Sequence, residues 1–210
     1  MPQKYEAIIF DLGGVLYDID VQRTKDAFAA LGLHNFDDQY TLNEQTLLFD
    51  ALEKGEIGKE EFTSEINRID HTNLSLNQVQ KAWNALLIGM PEESVSLLKN
   101  LRQQGYALYL LSNTNQFHAD AINREMNDKF GIESLDELFD AAYYSYRMGM
   151  RKPDIEIYKH IINNHNLKSE STVFIDDNED NIKGALRSGI QAKHKPKDVS
   201  LNDLMNQLLK

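Results

Sequence analysis

The sequence predicts an α/β fold in which a parallel sheet forms the core and a helical subdomain is inserted after the first strand. Two observations support this prediction. Three short apolar runs each end in small or acidic polar residues, and the stretch after the first run has the periodicity of helices. Strands that are apolar throughout are typical of parallel sheets covered by helices on both faces. The polar ends of such strands gather at one edge, where open α/β sheets bind ligands.

The elements of the predicted core follow from apolar runs that are bounded by turn-forming residues. The strands are 7–10 before Asp11, 107–111 before Ser112 and Asn113, and 173–175 before Asp176 and Asp177, with weaker candidates at 141–145 and 189–192. The helices are 91–104, ended by Gly105, 179–188, ended by Gly189, and 201–209, which begins with Ser200 and Asp203 as a capping box. Strands that alternate with helices in this way predict a Rossmann-like core.

Residues 18–88 differ from the rest of the chain because their patterns are helical, with no convincing strand. The segment 75–87 begins with a capping box and carries Trp83 and two leucines at helical spacing, which favours them as cap core over a sugar-stacking platform. We therefore expect residues 18–88 to be a helical cap subdomain, and residues 1–17 and 89–210 to form the α/β core.

Composition limits the partners and the location of the protein. A net charge of -11 disfavours nucleic acid and anionic lipid, which bind through clustered Lys and Arg. There is no cysteine, which suits a reducing compartment, and no apolar run approaches the roughly 20 residues of a membrane span. We expect a cytoplasmic protein that binds neither nucleic acid nor membrane and is a monomer or weak dimer. The six histidines, His34 among them, lack a ligand pattern and are interpreted as surface or packing residues.

Three carboxylates are predicted to meet at the carboxyl edge of the sheet. Asp11 follows the first strand, and Asp176 and Asp177 follow the third. Like charges this close repel one another unless a cation joins them, and Mg²⁺ prefers a few carboxylates together with waters and phosphate. The alternative is structural, since Asp is also common in turns and at helix N-caps. Both interpretations stay open for Asp176 and Asp177.

Two further polar segments belong to the same predicted edge. Ser112 and Asn113 carry a hydroxyl and an amide that can donate to phosphoryl oxygens, although alone they would be an ordinary turn. Lys152 precedes Pro153, which restrains it to an extended conformation. An Arg-Lys pair is more often solvated surface, yet a phosphate site here needs one fixed cation.

In their order and spacing, these segments resemble the four motifs of the haloacid dehalogenase superfamily. The matching segments are 10–16, 110–113, 151–153 and 174–177. The resemblance covers the whole chain, because residues 18–88 are similar to the small type 1 cap of the family. Within the superfamily the chain most resembles the branch that holds bacterial α-D-glucose-1-phosphate phosphatases.

The resemblance implies a Mg²⁺-dependent phosphatase that acts on a small phosphorylated metabolite, such as α-D-glucose 1-phosphate. It implies that Asp11 attacks phosphorus, that Ser112 and Asn113 hold the phosphoryl oxygens, and that Lys152 neutralises charge. The implied metal ligands are Asp11, Gly13, Asp176 and Asp177, with Gly13 contributing its backbone carbonyl.

Gly13 departs from the family pattern, because most phosphatases of the superfamily have a second Asp there for proton transfer. General acid-base catalysis is typically worth about 10²–10⁴-fold. Three interpretations are open. Asp18 or Asp20 replaces the missing group, or the substrate is a sugar 1-phosphate that needs little help from an acid. In the third, the protein binds phosphorylated ligands without catalysis. A metal-independent dehalogenase and a phosphomutase are less favoured alternatives.

Overall fold

A five-stranded parallel sheet lies at the centre of the protein. The computed structural model describes residues 4–33 and 43–209. The strands are β1 (Ala7–Phe10), β2 (Asp18–Ile19), β3 (Leu87–Gly89), β4 (Ala107–Ser112), β5 (Ala141–Tyr144), β6 (Thr172–Asp176) and β7 (Gln191–His194). The sheet has the order β5-β4-β1-β6-β7, and each neighbouring pair is parallel. The predicted α/β fold is therefore confirmed.

Helices cover both faces of this sheet and form the inserted segment. They are α1 (Val21–Ala30), α2 (Asn43–Glu53), α3 (Lys59–Asp70), α4 (Leu76–Trp83), α5 (Glu92–Gln103), α6 (Gln116–Phe130), α7 (Ser145–Met148), α8 (Ile155–Asn164), α9 (Glu179–Arg187) and α10 (Leu201–Leu208). The helices predicted at 91–104, 179–188 and 201–209 are present within a residue at each end. The capping box predicted before α4 is also present. No helix in the described ranges is both long and apolar enough to cross a membrane.

The helical insertion is joined to the sheet by a short ribbon that the sequence did not predict. Strand β2 pairs with β3 in antiparallel orientation, so that the way into the insertion lies beside the way out. The expectation that residues 18–88 contain no strand is wrong at these two ends. Strands of two and three residues carry no readable alternation, and their pairing joins distant parts of the chain.

Three apolar clusters hold these layers together. Alternate residues of the central strands point to opposite faces, so Phe10 packs under α5, α6 and α10, whereas Ile9 packs under α8 and α9. The third cluster lies in the insertion around Trp83, whose ring is stacked on Phe49 with a centroid distance of 5.1 Å. Phe117 of α6 joins this third cluster, so the insertion and the sheet domain share apolar contacts. Trp83 is thus core, as its spacing predicts.

Candidate active site

The register of the sheet brings the predicted site residues to one edge. Phe10 lies between Leu110 and Ile175 on the two neighbouring strands, so the residues that follow these positions emerge side by side. The backbone N–H of Asp11 donates to the carbonyl of Ile175 at 2.9 Å, which continues the ladder to the end of the strand. Asp11 is therefore held rigidly where the parallel strands end.

Lys152 is the cation at the centre of this edge. Its Nζ donates to Asp11 Oδ1 at 2.6 Å and to Asp176 Oδ2 at 2.7 Å, and its side chain is 1% exposed. The Asn113 side chain fixes the backbone of Lys152, since its amide donates to the Lys152 carbonyl and its oxygen accepts from the Lys152 N–H, both at 2.9 Å. The lysine is thus positioned by a neighbouring strand end as well as by its own loop.

Burial dominates the electrostatics of the Asp11–Lys152 pair. Burial raises the pKa of Asp11 to about 7, Asp176 adds to that increase, and the charge of Lys152 opposes it. Burial would lower the pKa of Lys152, but the charges of Asp11 and Asp176 raise it above its usual value. A divalent cation beside these carboxylates would lower the pKa of Asp11 and favour the ionised nucleophile.

Asp176 and Asp177 hold different positions at the end of β6. Asp176 is fully buried, and it accepts hydrogen bonds from the Asn178 backbone N–H at 2.7 Å and from the Asn181 amide at 3.0 Å. Asp177 is exposed, and its Oδ2 would lie 2.2 Å from a Cβ placed on Gly14, whose φ is +73°. Glycine at position 14 is therefore needed both for the turn after Asp11 and for the approach of Asp177.

The three carboxylates form a cluster that fits a hard cation. Asp11, Asp176 and Asp177 each offer an oxygen, and these oxygens all lie within 4.8 Å of one another. Mg²⁺ is commonly bound by one or two carboxylates plus waters and substrate phosphate, and such a donor set matches this edge. These residues would hold the ion, and the predicted role of the Gly13 carbonyl stays a prediction.

A cavity of about 180 Å³ lies between the sheet edge and the insertion, where Leu12 and Gly13, the two residues after Asp11, form part of its wall. Its polar lining includes Ser112, Asn113 and Glu53, and its apolar lining includes Leu86 and Leu87. The two leucines therefore face the cavity, whereas their spacing suggested the interior of the cap. Ser112 is almost fully buried at the end of β4, so its hydroxyl belongs to the floor of this cavity.

Asp18 and Asp20 are badly placed to replace the carboxylate missing at Gly13. Both are exposed, and neither lines the cavity. Asp20 caps α1, where its Oδ1 accepts from the Gln22 N–H at 3.0 Å. A Cβ on Gly13 would lie 3.2 Å from Ile19 Cδ1, so an apolar side chain crowds the position of the usual acid. The hypothesis that Asp18 or Asp20 transfers the proton is thus not supported by their placement.

Sequence reasoning missed an ion-pair group that joins the insertion to the Lys152 loop. Arg151 contacts Asp50 Oδ1 at 2.7 Å and Glu53 Oε2 at 2.9 Å, both on α2. A local Arg-Lys pattern gives no sign of these partners, because they lie about a hundred residues earlier in the chain. The pairing places Glu53 at the cavity and ties α2 to the loop that carries Lys152.

His118 is the second residue that the sequence did not connect with the site. Its ring is stacked on Trp83 with a centroid distance of 5.6 Å, and it lines the cavity. Burial lowers the pKa of His118 to about 4, so the imidazole is neutral near pH 7. This agrees with a packing role for His118. The same interpretation of His34 falls outside the described residues.

We expect Gly184→Ala to reduce activity without altering any group at the cavity. A Cβ on Gly184 of α9 would lie 2.5 Å from the Pro153 carbonyl oxygen, so the loop carrying Lys152 must shift. Overpacking of this kind costs about 1–3 kcal/mol, and a displaced catalytic group lowers the rate by roughly tenfold or more. Urea unfolding and kcat for phosphate release measure the two effects.

Gly58→Ala is the control for kcat, since a Cβ there meets only the end of the Glu60 side chain at 3.9 Å; because Gly58 is the N-cap of α3, it does not serve as a control for stability. An unchanged unfolding midpoint and kcat in Gly184→Ala would show that α9 does not hold this loop.

Known proteins share this architecture over most of the chain. The sequence model of haloacid dehalogenase-like hydrolases matches residues 5–189. A D-ribitol-5-phosphate phosphatase from Bacteroides thetaiotaomicron is 32% identical over 83% of this chain and 84% of its own length.

Two solved structures are similar at the level of the whole chain. A haloacid dehalogenase family enzyme from Bacteroides thetaiotaomicron, in complex with magnesium and inorganic phosphate, has a TM-score of 0.87 and 32% identity, with 95% of this chain and 98% of that chain covered. A predicted hydrolase of the same family from Porphyromonas gingivalis has a TM-score of 0.89 and 30% identity, with 99% and 98% covered.

Proposed function

This chain belongs to the haloacid dehalogenase-like hydrolase family, and from that premise we propose that it removes phosphate from sugar or sugar-alcohol phosphates through Asp11. It is a phosphatase of this family, and Mg²⁺ is its cofactor. The position of Lys152 supports the proposed roles of the site residues, because its Nζ lies 2.6 Å from Asp11 Oδ1 and 2.7 Å from Asp176 Oδ2. A buried cation between two carboxylates fits a site in which a phosphate dianion meets a carboxylate nucleophile.

In the first step Asp11 attacks phosphorus, the bond to the leaving oxygen breaks, and an aspartyl-phosphate forms. Carboxylate nucleophiles divide one difficult displacement into two easier ones. Ser112 donates its hydroxyl to a phosphoryl oxygen, and Lys152 offsets the negative charge that gathers between nucleophile and phosphate. We assign to Asn113 both the hydrogen bonds to Lys152 and contact with the phosphoryl group through its remaining donors.

In the second step a water attacks the aspartyl-phosphate and releases inorganic phosphate from Asp11. Asp11, Asp176 and Asp177 would hold Mg²⁺, which would supply positive charge to the phosphoryl oxygens when bound. The Asn178 and Asn181 donors to Asp176 hold that carboxylate in one orientation. These contacts keep the cluster in place while the phosphoryl group changes partners.

The cavity and the relatives support the substrate class. About 180 Å³ accommodates a small polyol chain or sugar better than a nucleotide or a protein loop. D-ribitol 5-phosphate, the substrate that names the Bacteroides thetaiotaomicron relative, belongs to this class, and so does α-D-glucose 1-phosphate.

A phosphate-release panel tests this proposal. We expect Mg²⁺-dependent release with the highest kcat/KM among sugar and sugar-alcohol phosphates, including D-ribitol 5-phosphate and α-D-glucose 1-phosphate. Nucleoside monophosphates and a phosphoserine peptide serve as comparison substrates. Binding of sugar phosphates without any release would indicate a non-catalytic binding protein instead, and activity that persists in excess chelator would contradict the Mg²⁺ mechanism.

A further inference from the structure

The chemistry proposed above needs a group that moves protons, and position 13 does not provide one. An alkoxide leaving group requires a proton as its bond to phosphorus breaks, and the attacking water must lose one. Among the described residues, the titratable groups at the sheet edge are Asp11, Asp176, Asp177 and Lys152, to which the proposed function assigns phosphate and metal. The proton-transfer group must therefore come from another part of the cavity wall.

Three titratable side chains line the cavity among the described residues, and the polar atoms of two of them are taken up by hydrogen bonds. The Tyr17 hydroxyl donates to Glu125, and burial together with that carboxylate raises its pKa far above the working range. The two ring nitrogens of His118 contact the Asn115 amide at 3.1 Å and the Trp83 carbonyl at 3.2 Å. The third residue is Glu53, at the end of α2.

Glu53 combines access to the cavity with a fixed position. Its Oε2 is buried and contacts Arg151 Nη2 at 2.9 Å, but it makes no aligned hydrogen bond. Arg151 in turn is held by Asp50 and immediately precedes Lys152, so the carboxyl group is tied to the catalytic loop. Side chains positioned by a second contact of this kind keep the geometry that proton transfer requires.

The environment of Glu53 suits a carboxyl group that changes its protonation state. Burial raises the pKa of Glu53 and Asp50 adds to the increase, while the charges of Arg151 and Lys152 oppose it. A raised pKa increases the fraction of a carboxyl group that carries a proton near neutral pH, and general acid catalysis requires that form. Position and environment thus point to the same residue.

We propose that Glu53, carried by the insertion, is the proton-transfer residue of this active site. This rests on the phosphatase function proposed above. As the bond between phosphorus and the leaving oxygen breaks, that oxygen keeps the electron pair and takes the proton of Glu53, and the alcohol departs. The Glu53 carboxylate then accepts a proton from the water that attacks phosphorus. The bond to Asp11 breaks, Asp11 regains its electron pair, and Glu53 is protonated again.

A proton-transfer role for Glu53 widens the range of phosphate esters that the site is expected to accept. The family resemblance and the absence of an acid at Gly13 together favour sugar 1-phosphates, whose anomeric oxygen leaves readily. A proton from Glu53 removes that restriction, so primary esters such as D-ribitol 5-phosphate are accepted equally well on chemical grounds. The carboxylate arrives with the insertion, so the site is complete only when α2 contacts the Lys152 loop.

The test compares Glu53→Gln with wild type on two leaving groups. We expect phosphoenzyme formation from D-ribitol 5-phosphate to fall by about 10²–10⁴-fold. With p-nitrophenyl phosphate, whose phenolate leaves without a proton, formation should fall by less than about tenfold. Hydrolysis of the phosphoenzyme should slow with both substrates, because the water lacks its base. A rapid-mixing trace with p-nitrophenyl phosphate should therefore show a burst of nitrophenolate and an accumulated aspartyl-phosphate.

Glu56→Gln is the control, since Glu56 is exposed three residues further along, and it should behave as wild type. Glu53→Asp keeps a carboxyl group on a side chain one methylene shorter, and its rate should lie between those of Glu53→Gln and wild type. It provides a second test if Glu53→Gln folds poorly. Equal losses on both leaving groups, a change in KM alone, or rates like wild type would overturn the role of Glu53. Absence of phosphate release by wild type would instead contradict the proposed function.

Discussion

Replacing Asp11 with Asn is expected to lower kcat for phosphate release by about 10⁴-fold or more, because the amide cannot form the acyl phosphate on which both steps depend. The fold should survive. Asp11 is buried, so its charge is poorly solvated and a neutral isostere should be tolerated there. Lys152 keeps Asp176 as its partner in the variant.

Steady-state phosphate release with Mg²⁺, together with thermal unfolding, measures the effects of Asp11→Asn. Asp128→Asn is a suitable control, because Asp128 is exposed on α6 and takes no part in the carboxylate cluster. A rate within tenfold of wild type in Asp11→Asn would show that another group attacks phosphorus.

Replacing Lys152 with Met is expected to abolish activity and also to destabilise the fold. Removing one partner of a buried ion pair costs about 3–5 kcal/mol, because the remaining charge is left without compensation. Here two carboxylates, Asp11 and Asp176, lose a partner that lies within 2.7 Å of each. Urea unfolding in the presence of a chelator measures the loss.

The destabilisation caused by Lys152→Met should increase with pH. Burial raises the pKa of Asp11 from 3.8 to about 7 in the folded state, so protonation of Asp11 stabilises the fold at low pH. This contribution to the free energy of unfolding is lost as the pH rises from about 4 through about 7. The destabilisation in Lys152→Met should therefore be smaller near about pH 5 than near about pH 8. Added Mg²⁺ should offset part of it, since the ion replaces the missing positive charge.

Lys183→Met is the matched control for Lys152→Met, because Lys183 forms an exposed ion pair with Asp180 at 2.9 Å on the surface of α9. It should leave the urea midpoint unchanged. An equally unchanged midpoint in Lys152→Met would contradict the buried triad.

The sequence predicted the sheet edge well because the signals there are local. Continuous apolar runs identify buried strands, and the ends of parallel strands must meet, so Asp11, Asp176 and Asp177 could be placed together before any coordinates were known. Asp11, Asp176 and Asp177 each lie within two positions of a strand that has its own clear pattern.

The contribution of the insertion could not be read in the same way. Glu53 lies at the cavity because Arg151 binds it across about a hundred residues, and no local pattern records that contact. The Asn113 side chain was expected at the phosphoryl group, and its hydrogen bonds to the Lys152 backbone depend on how two loops meet. Asp18 and Asp20 were weighed as acids because they are close in sequence, yet the turn after Asp11 leaves both in solvent.

Identification of the phosphorylated residue is the direct test of whether Asp11 is the nucleophile. Wild-type protein mixed with Mg²⁺ and D-ribitol 5-phosphate, quenched in acid within a single turnover and digested, can be analysed by mass spectrometry. We expect one added phosphoryl group on the peptide that contains Asp11, and none in Asp11→Asn. Phosphate release without any phosphorylated peptide, or with the phosphoryl group on another residue, would contradict it.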